Sequence, residues 1–360
     1  MVVSVTTGSA ETFLFKYFDR TRFACLTPAA LILGVESMIP PVAAPWLFLV
    51  LFIAASFLMI WRLESMTENG VEGTVLGTLI MPYCSGMGNL IFALVVGVNG
   101  IGDSAEVVTN SLVNNTTNIT LLIGLPTLLW GARWEALPPS APTAAREAQR
   151  SARADLLLTL AAVFVFTGVA ALLARDGRFD FEDGFVLVGM FLFWQAYHLF
   201  DLLRTIVGNR KASFWLFVID LTVLAMGSFA VYISTDWLVG WVAQRGEGFL
   251  SSKHLGWLSG WLMILPNGLL AFYYGWKRRA DILYASQVGD GHICIPLCLG
   301  LVALYRPMTV PAFFNLSTAI IIGTTLVHFL FVAFAGGLPR MMGWLLLVAY
   351  GVFVYIGIAR

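Results

Sequence analysis

Charged residues are scarce in this sequence of 360 residues. Lysine, arginine, aspartate and glutamate make up 12% of the chain, whereas a soluble globular domain contains about 25%. The 21 basic and 21 acidic residues cancel, which excludes a basic nucleic-acid-binding protein and a disordered chain kept open by its own charge. Because 59% of the residues are hydrophobic, too little polar surface remains to cover a soluble enzyme. The composition indicates an integral membrane protein.

Cysteine is also scarce, with 4 residues in the chain and no pairing pattern, so the sequence predicts no disulfide framework. Cys294 and Cys298 share a predicted helix with His292. This leaves a soft-metal site open, although we favour packing as small apolar residues. The chain has no P-loop, no dinucleotide fingerprint and no metalloprotease motif. We therefore expect no cofactor, no ATP coupling within the chain and no enzymatic activity.

Long apolar runs are present instead, and a run of about 20 mostly apolar residues can cross a bilayer as a helix. The shorter run 23–38 predicts an extra N-terminal helix, either packed at the interface or spanning the membrane. Ten further runs predict spans at 43–61, 73–98, 104–131, 156–174, 181–203, 213–241, 255–276, 281–305, 310–335 and 341–359. The predicted fold class is an all-α polytopic membrane protein with about ten transmembrane helices.

Basic loops alternate along the chain with acidic or neutral loops, and this alternation predicts the orientation. By the positive-inside rule the basic loops face the cytoplasm. They carry Arg133, Arg146, Arg150 and Arg153, then Arg204, Arg210 and Lys211, then Lys277, Arg278 and Arg279. The opposite loops carry Asp103 and the acidic group Asp176, Asp180, Glu182 and Asp183. Residues 132–155 are rich in proline and alanine, which predicts a flexible linker.

Two segments of the chain form an internal repeat. Residues 88–97 match residues 266–275, with Asn, Ala and Gly at equal offsets, and each segment precedes a second helix with polar residues. Aligning Gly124 with Gly300 places Asn110 over Ser286 and Asn114 over Asp290. The first hairpin turns outside the membrane and the second turns inside. The sequence therefore predicts two inverted five-helix repeats whose hairpins meet near the midplane, as in secondary transporters.

The polar residues of the second helices predict a cation site. Asn110 and Asn114 are four residues apart, as are Ser286 and Asp290, so each pair lies on one helix face. Buried amides and carboxylates are costly in hydrocarbon and are expected to face the bundle interior. Their oxygen atoms suit hard cations such as sodium and calcium. Nearby glycines and Pro266 can loosen the helices and expose backbone carbonyls.

These segments resemble the sodium/calcium exchanger (cation/calcium antiporter) superfamily, in which two inverted repeats each pair a kinked helix with a polar partner helix. Residues 108–119 resemble the partner motif of the first repeat, residues 281–301 that of the second, and Pro266 occupies the family's proline. The resemblance implies a secondary antiporter that carries sodium, calcium or protons by alternating access. It implies core ligands at Asn89, Asn114, Asn267 and Asp290, with Ser85, Asn110 and Ser286 beside them.

The sequence departs from the family at the kinked helices. The family's two essential glutamates correspond here to Asn89 and Asn267, and only Asp290 keeps an acidic site position. One carboxylate compensates a divalent ion poorly. The departures therefore predict weaker calcium binding, a monovalent ion or a different coupling ion. They also leave open an exchanger fold reused as a scaffold, a membrane enzyme or an organic-solute transporter, with Asn89 and Asn267 as interhelical hydrogen bonds.

The repeat divides the chain into an N-terminal segment at 1–42, a first half at 43–203 that includes the linker, and a second half at 204–360. The expected partners are the lipid bilayer and small cations, with no nucleic acid, and the expected location is a bacterial inner membrane. Three other carboxylates are candidates for functional roles. Glu106 is interpreted as an entrance or solvated group, Asp201 as a partner of Arg204, and Asp220 as a gating or proton-relay residue.

Overall fold

The computed structural model describes residues 44–68, 81–98, 103–134, 140, 142–206 and 214–359. The run 23–38, with nearly all of the N-terminal segment, lies outside the described residues. Within the described part, 7 helices are long and apolar enough to cross a membrane. Each of the predicted spans from 43–61 to 341–359 has a helical segment at its position. The chain is an all-α polytopic membrane protein.

The first part of the chain forms helices α1 to α6, several of them continued or interrupted by π-helical segments. Their bounds are α1 Ala44–Glu68, α2 Met81–Ala93 with the π segment Leu94–Val98, α3 Ala105–Thr117 with the π segment Asn118–Leu122, α4 Ile123–Trp130, α5 Thr143–Leu173 with a 3-10 turn Ala174–Asp176, and α6 Phe181–Ile206. Strand β1 covers Ala132–Arg133 and strand β2 covers Arg178–Phe179.

The second part of the chain follows a similar order. Its bounds are α7 Phe214–Ala243, a 3-10 turn Ser252–His254, α8 Leu255–Met263, α9 Leu265–Trp276, α10 Ala280–Val288, α11 Asp290–His292 with the π segment Ile293–Leu299, α12 Gly300–Ala303, α13 Phe314–Ala335 and α14 Arg340–Ala359. Strand β3 covers Met308–Thr309 and strand β4 covers Gly337–Leu338.

The prediction of a flexible linker at 132–155 is wrong for its second part. Helix α5 begins at Thr143, directly after Pro142, whose φ of −55° and ψ of 146° lie outside the helical region. Alanine, arginine, glutamate and glutamine dominate the residues that follow, and these are strong helix formers. The transmembrane helix therefore continues beyond the apolar run into its polar flank, and proline marks only where it begins.

Two short antiparallel ladders connect segments that are distant in sequence. In the first ladder β1 pairs with β4, with Arg133 opposite Gly337, and in the second β2 pairs with β3, with Phe179 opposite Met308. Ala132 and Met308 are separated by the same number of residues as Asn114 and Asp290. The ladders therefore match the predicted repeat, and each joins one predicted half to the other. The boundaries of the two halves themselves stay a prediction.

Many polar residues are buried in the interior of the bundle beside a large apolar core, and many large apolar residues face outward. Every residue of α3 from Val107 to Thr117 is buried. In contrast, Phe193 on α6 is 77% exposed and Phe334 on α13 is 84% exposed. The exposure of so many large apolar side chains fits a chain whose outer surface meets lipid.

Small residues allow α8 to approach α3 closely. An added Cβ atom at Gly256 would lie 2.6 Å from the backbone oxygen of Glu106, and one at Gly260 would lie 2.8 Å from Val113 Cβ. Glycine at helix interfaces is the usual way in which membrane helices gain close van der Waals packing. Because α3 and α8 belong to different predicted halves, this packing brings together the segments that carry the polar residues.

Candidate cation site

Asp290 lies at the start of α11 and is fully buried. Its Oδ2 atom accepts a hydrogen bond of 2.5 Å from Asn267 Nδ2 on α9 and one of 3.1 Å from Asn118 Nδ2 at the start of the first-repeat π segment. An ionised carboxylate without hydrogen-bond donors would be very costly in this interior. The two amides therefore hold the carboxylate at the centre of the bundle.

The amides are also bonded to one another, so the carboxylate belongs to a network of four side chains. Asn118 Nδ2 lies 3.0 Å from Asn114 Oδ1, and Asn267 Nδ2 lies 3.5 Å from Asn118 Oδ1. Asn114, Asn118 and Asn267 are all fully buried. We call Asp290, Asn267, Asn118 and Asn114 the central network. It brings together side chains from both predicted halves.

Asn118 was absent from the ligands expected from the sequence, although its segment was recognised. It stands four residues after Asn114, so the two lie on one helix face. The four-residue spacing that places Asn110 and Asn114 on one helix face therefore also includes Asn118. In the structure Asn118 bonds to all three other members of the central network.

Cys294 occupies the position in the second repeat that corresponds to Asn118 in the first. Its Sγ atom lies 3.6 Å from Asn114 Oδ1, just as Asn118 contacts Asp290. Ser111 Oγ donates to the backbone oxygen of Cys294 at 3.2 Å. The contacts across the two repeats therefore correspond in position, but a thiol in one repeat replaces an amide in the other. Among the described residues, no group of three His, Cys, Asp or Glu residues could hold a metal ion.

Several buried polar atoms near the central network have no hydrogen-bond partner among the described residues. They include Asn267 Oδ1, Gln287 Oε1, Thr116 Oγ1 and both amide atoms of Asn89. Gln287 Nε2 donates to the backbone oxygen of Asn267 at 3.1 Å, which holds its side chain next to the network. Oxygen atoms left without partners in a buried site are candidate ligands for a cation.

The remaining predicted ligands lie at different distances from the central network. Asn89 is fully buried on α2, which packs against α11, but it has no bond to the network. Ser286 is connected to it through Gln287, whose Nε2 lies 3.0 Å from Ser286 Oγ. Asn110 Nδ2 instead donates to Ser259 Oγ on α8 at 3.0 Å. The side chain of Ser85 lies outside the part of the chain that the structure describes.

The π-helical segments follow the polar residues at corresponding positions in the two repeats. Widened helical turns release backbone carbonyls from the regular pattern and often occur at functional sites. One such carbonyl, that of Ile119, lies 2.8 Å from His328 Nε2 on α13. Pro296 lies within the second π segment and cannot donate a backbone hydrogen bond there. The helices that carry Asn118 and Asp290 are thus irregular where the site lies.

The other candidate carboxylates have partners away from the central network. Glu106 Oε2 accepts a 2.6 Å bond from the backbone N–H of Gly256 at the start of α8, so it caps a helix instead of standing as a solvated entrance group. Asp220 Oδ1 lies 3.4 Å from Arg62 Nε. The expected pair of Asp201 with Arg204 involves side chains outside the described residues.

Comparison with known proteins gives a consistent result. A family model described as sodium/calcium exchanger protein matches residues 42–200 and 219–359. Solved structures of the sodium-calcium exchanger NCX_Mj have the same fold. One, soaked with 2.5 mM Na+ and 10 mM Sr2+, has a TM-score of 0.63 and 16% identity over 87% of this chain and 97% of that chain.

Two further NCX_Mj structures give similar values. The structure soaked with 10 mM Na+ and zero Ca2+ has a TM-score of 0.62 and 16% identity over 87% of this chain and 97% of that chain. The structure soaked with zero Na+ and Ca2+ has a TM-score of 0.60 and 17% identity over 89% of this chain and 98% of that chain. No curated protein matches the chain.

Proposed function

The chain belongs to the sodium/calcium exchanger protein family, and we propose that it is a secondary cation antiporter whose exchange site is the central network. The observation that carries the proposal is the buried Asp290 carboxylate, bonded by Asn267 of its own repeat and by Asn118 of the other. An ionisable group inside a membrane bundle is by default functional. Its place between two inverted segments is where secondary transporters bind substrates.

The charge of the central network favours a monovalent cation. Asp290 supplies one formal negative charge, and Asn114, Asn118 and Asn267 supply neutral amides. One carboxylate balances sodium or a proton completely but leaves one charge of a calcium ion uncompensated in a medium of low dielectric constant. We propose that sodium or proton binding persists in this site and that calcium binding is weak.

The amides provide a way for the same side chains to bond either the carboxylate or a cation. Asn118 and Asn267 direct their N–H groups at Asp290. A half-turn of either amide would present its carbonyl oxygen instead, because an amide carries donors on one side and an acceptor on the other. We propose that cation binding at Asp290 is accompanied by this rotation, and that movement of the peripheral helices then alternates access.

Ion flux into liposomes tests the proposal. The purified full-length chain would be reconstituted, and radioactive sodium and calcium uptake measured under imposed sodium, calcium or proton gradients. We expect sodium uptake driven by an opposing cation gradient, and little calcium uptake. Asp290→Asn removes the charge with little change in volume and should abolish uptake.

The matched control is Asp176→Asn, which makes the same chemical change at an exposed carboxylate whose ion-pair partner is Arg178. It should transport at the rate of the parent chain. Uptake unchanged in Asp290→Asn would remove the network from the exchange site. A folded protein that moves no cation under any gradient would instead favour a scaffold or an organic-solute transporter.

A further inference from the structure

A cavity of about 330 Å³ lies at the bundle end that carries the basic loops. We call it the arginine pocket, after the residues that line it on three separate segments. Arg133 follows α4, Arg278 follows α9, and Arg340 begins α14, and Trp130 and Trp134 complete the wall. Its volume falls at the lower end of the range of about 300–1,000 Å³ for small-molecule sites. None of these residues belongs to the central network.

The floor of the arginine pocket is held by the ladder between β1 and β4. Ala132 lies opposite Leu338, and Trp134 N–H donates to the Gly336 oxygen at 2.9 Å. An added Cβ atom at Gly337 would lie 2.1 Å from Ala132 O, so the strands fit only with glycine there. Trp134 also stacks on Tyr284 with 5.9 Å between ring centroids. The pocket is therefore built on fixed backbone and a packed aromatic wall.

The three arginines bring positive charge together with no acidic partner among the residues that the structure describes. None of them forms an ion pair with a described residue, and Glu135 lies outside the described residues. The neighbouring Arg279 differs, because its Nε and Nη2 atoms lie 3.1 Å and 2.9 Å from the two oxygens of Asp281. Adjacent arginines on one turn thus have different roles, and only Arg278 lines the pocket.

Arg278 has an unusual backbone for a residue with a side chain. It is the one described non-glycine residue with a positive φ, which is 55°. This left-handed position after a helix is normally taken by glycine, since a Cβ atom is disfavoured there. An arginine in this disfavoured backbone conformation points to a functional use of its side chain.

We propose that the arginine pocket binds a phosphate-bearing anion, and that this anion is the headgroup of an anionic phospholipid. Guanidinium groups match phosphate oxygens with paired hydrogen bonds. Tryptophans favour the depth of the membrane interface, and basic pockets between helices at the cytoplasmic side bind anionic headgroups. Soluble phosphate shares the same chemistry, so the experiment must separate the two sources.

Native mass spectrometry of the delipidated full-length chain in detergent provides the test. Phosphatidylglycerol and phosphatidylcholine with identical acyl chains would be titrated separately, then phosphatidylglycerol again with excess inorganic phosphate. We expect the first lipid to bind on the order of tenfold more tightly than the second. The triple variant Arg133→Gln, Arg278→Gln and Arg340→Gln should lose this preference. Arg279→Gln, which removes a paired charge from the same turn, should keep it.

A second variant separates binding from folding. Arg278→Gly suits the left-handed backbone, so it should raise the melting temperature while it reduces the preference for phosphatidylglycerol. If millimolar inorganic phosphate inhibited the binding of phosphatidylglycerol, the pocket would be a site for soluble phosphate. The proposal that its ligand is a lipid headgroup would then be wrong. Equal binding of both lipids by the parent chain, without competition by phosphate, would overturn the proposal. So would an unchanged preference in the triple variant.

Discussion

Asn118 joins the two halves of the site through a single amide. Its nitrogen bonds Asp290 and Asn114, and its oxygen accepts from Asn267. Removing it leaves a buried carboxylate with one donor fewer and two amides with missing partners. Buried polar groups without partners lower stability much more than an average hydrogen bond raises it. The effect of this side chain should therefore appear in both stability and transport.

Asn118→Leu should lower the free energy of unfolding by about 1–3 kcal/mol and abolish cation uptake. Thermal unfolding in detergent and liposome flux measure the two effects. Thr117→Val is the control on the neighbouring position, since the Thr117 hydroxyl bonds only Val113 O of its own helix. If Asn118→Leu matched this control in both assays, the network would have no role in the site.

The effect of the two missing family glutamates on calcium binding can be tested by restoring them. Asn89→Glu combined with Asn267→Glu would add two carboxylates near Asp290, whose mutual repulsion a divalent ion can relieve. We expect calcium to raise the melting temperature of this double variant far more than that of the parent chain, because a ligand stabilises the state that binds it. Titration with calcium and, as a control, potassium measures the difference. An equal calcium response in both chains would contradict the charge argument.

At the residue scale, the sequence predicted the burial of the polar residues better than it predicted the contacts between them. The repeat alignment placed Asn114 over Asp290, and the structure brings both into one network through Asn118. The helix spacing that paired Asn110 with Asn114 could not show that Asn110 bonds Ser259. That contact depends on the close approach of α8 to α3 at Gly260, which spacing along one helix does not reveal.

At the scale of elements, an ion pair joins helix α1 to helix α7 within surfaces that are otherwise apolar. Arg62 Nε lies 3.4 Å from Asp220 Oδ1, with the two side chains 21% and 5% exposed. From the sequence alone Asp220 is interpreted as a gating or proton-relay residue, because the sequence does not place Arg62 beside it. A carboxylate held by a guanidinium is a poor relay, so we now expect a structural role.

Asp220→Asn should lower stability by about 3–5 kcal/mol, because it leaves Arg62 without its counter-charge in a largely buried position. The double variant Arg62→Met and Asp220→Leu should recover most of the loss, since it removes both charges and retains apolar volume. Thermal unfolding of Arg62→Met, Asp220→Leu and the double variant gives the coupling between the two residues. Additive losses would show that the ion pair contributes nothing of its own.

At the scale of the whole molecule, the membrane spans were predictable from the sequence because bilayer thickness sets their length. The breaks within these spans were not predictable. The segment from Ala105 to Trp130 is interrupted by π-helical turns. It is not among the seven described helices that are long and apolar enough to cross a membrane, since its asparagines and threonines lower its hydropathy. Strands β1 to β4 are also too short to leave a period-two pattern in the sequence. Both features arise from packing between distant segments.

The ladders make a prediction about how the molecule moves. If peripheral helices alternate access around a fixed centre, then β2 and β3 stay paired throughout the cycle. Arg178 lies directly opposite Thr309, and opposed residues in antiparallel strands have Cα atoms about 4.5–5.5 Å apart, within reach of a disulfide. Arg178→Cys combined with Thr309→Cys should therefore form a disulfide on oxidation without slowing cation exchange.

Cation flux measured before oxidation, after oxidation and after reduction tests whether the disulfide slows exchange. The two single-cysteine variants are the controls for oxidation of other cysteines. Mass spectrometry of peptides would establish that the intended bond forms. Exchange that stops on oxidation in the double variant alone, and returns on reduction, would mean that the two halves separate at this ladder. The centre would then rock instead of staying fixed, and the amide rotation proposed for Asn118 and Asn267 would have to accompany a rearrangement of the central network itself.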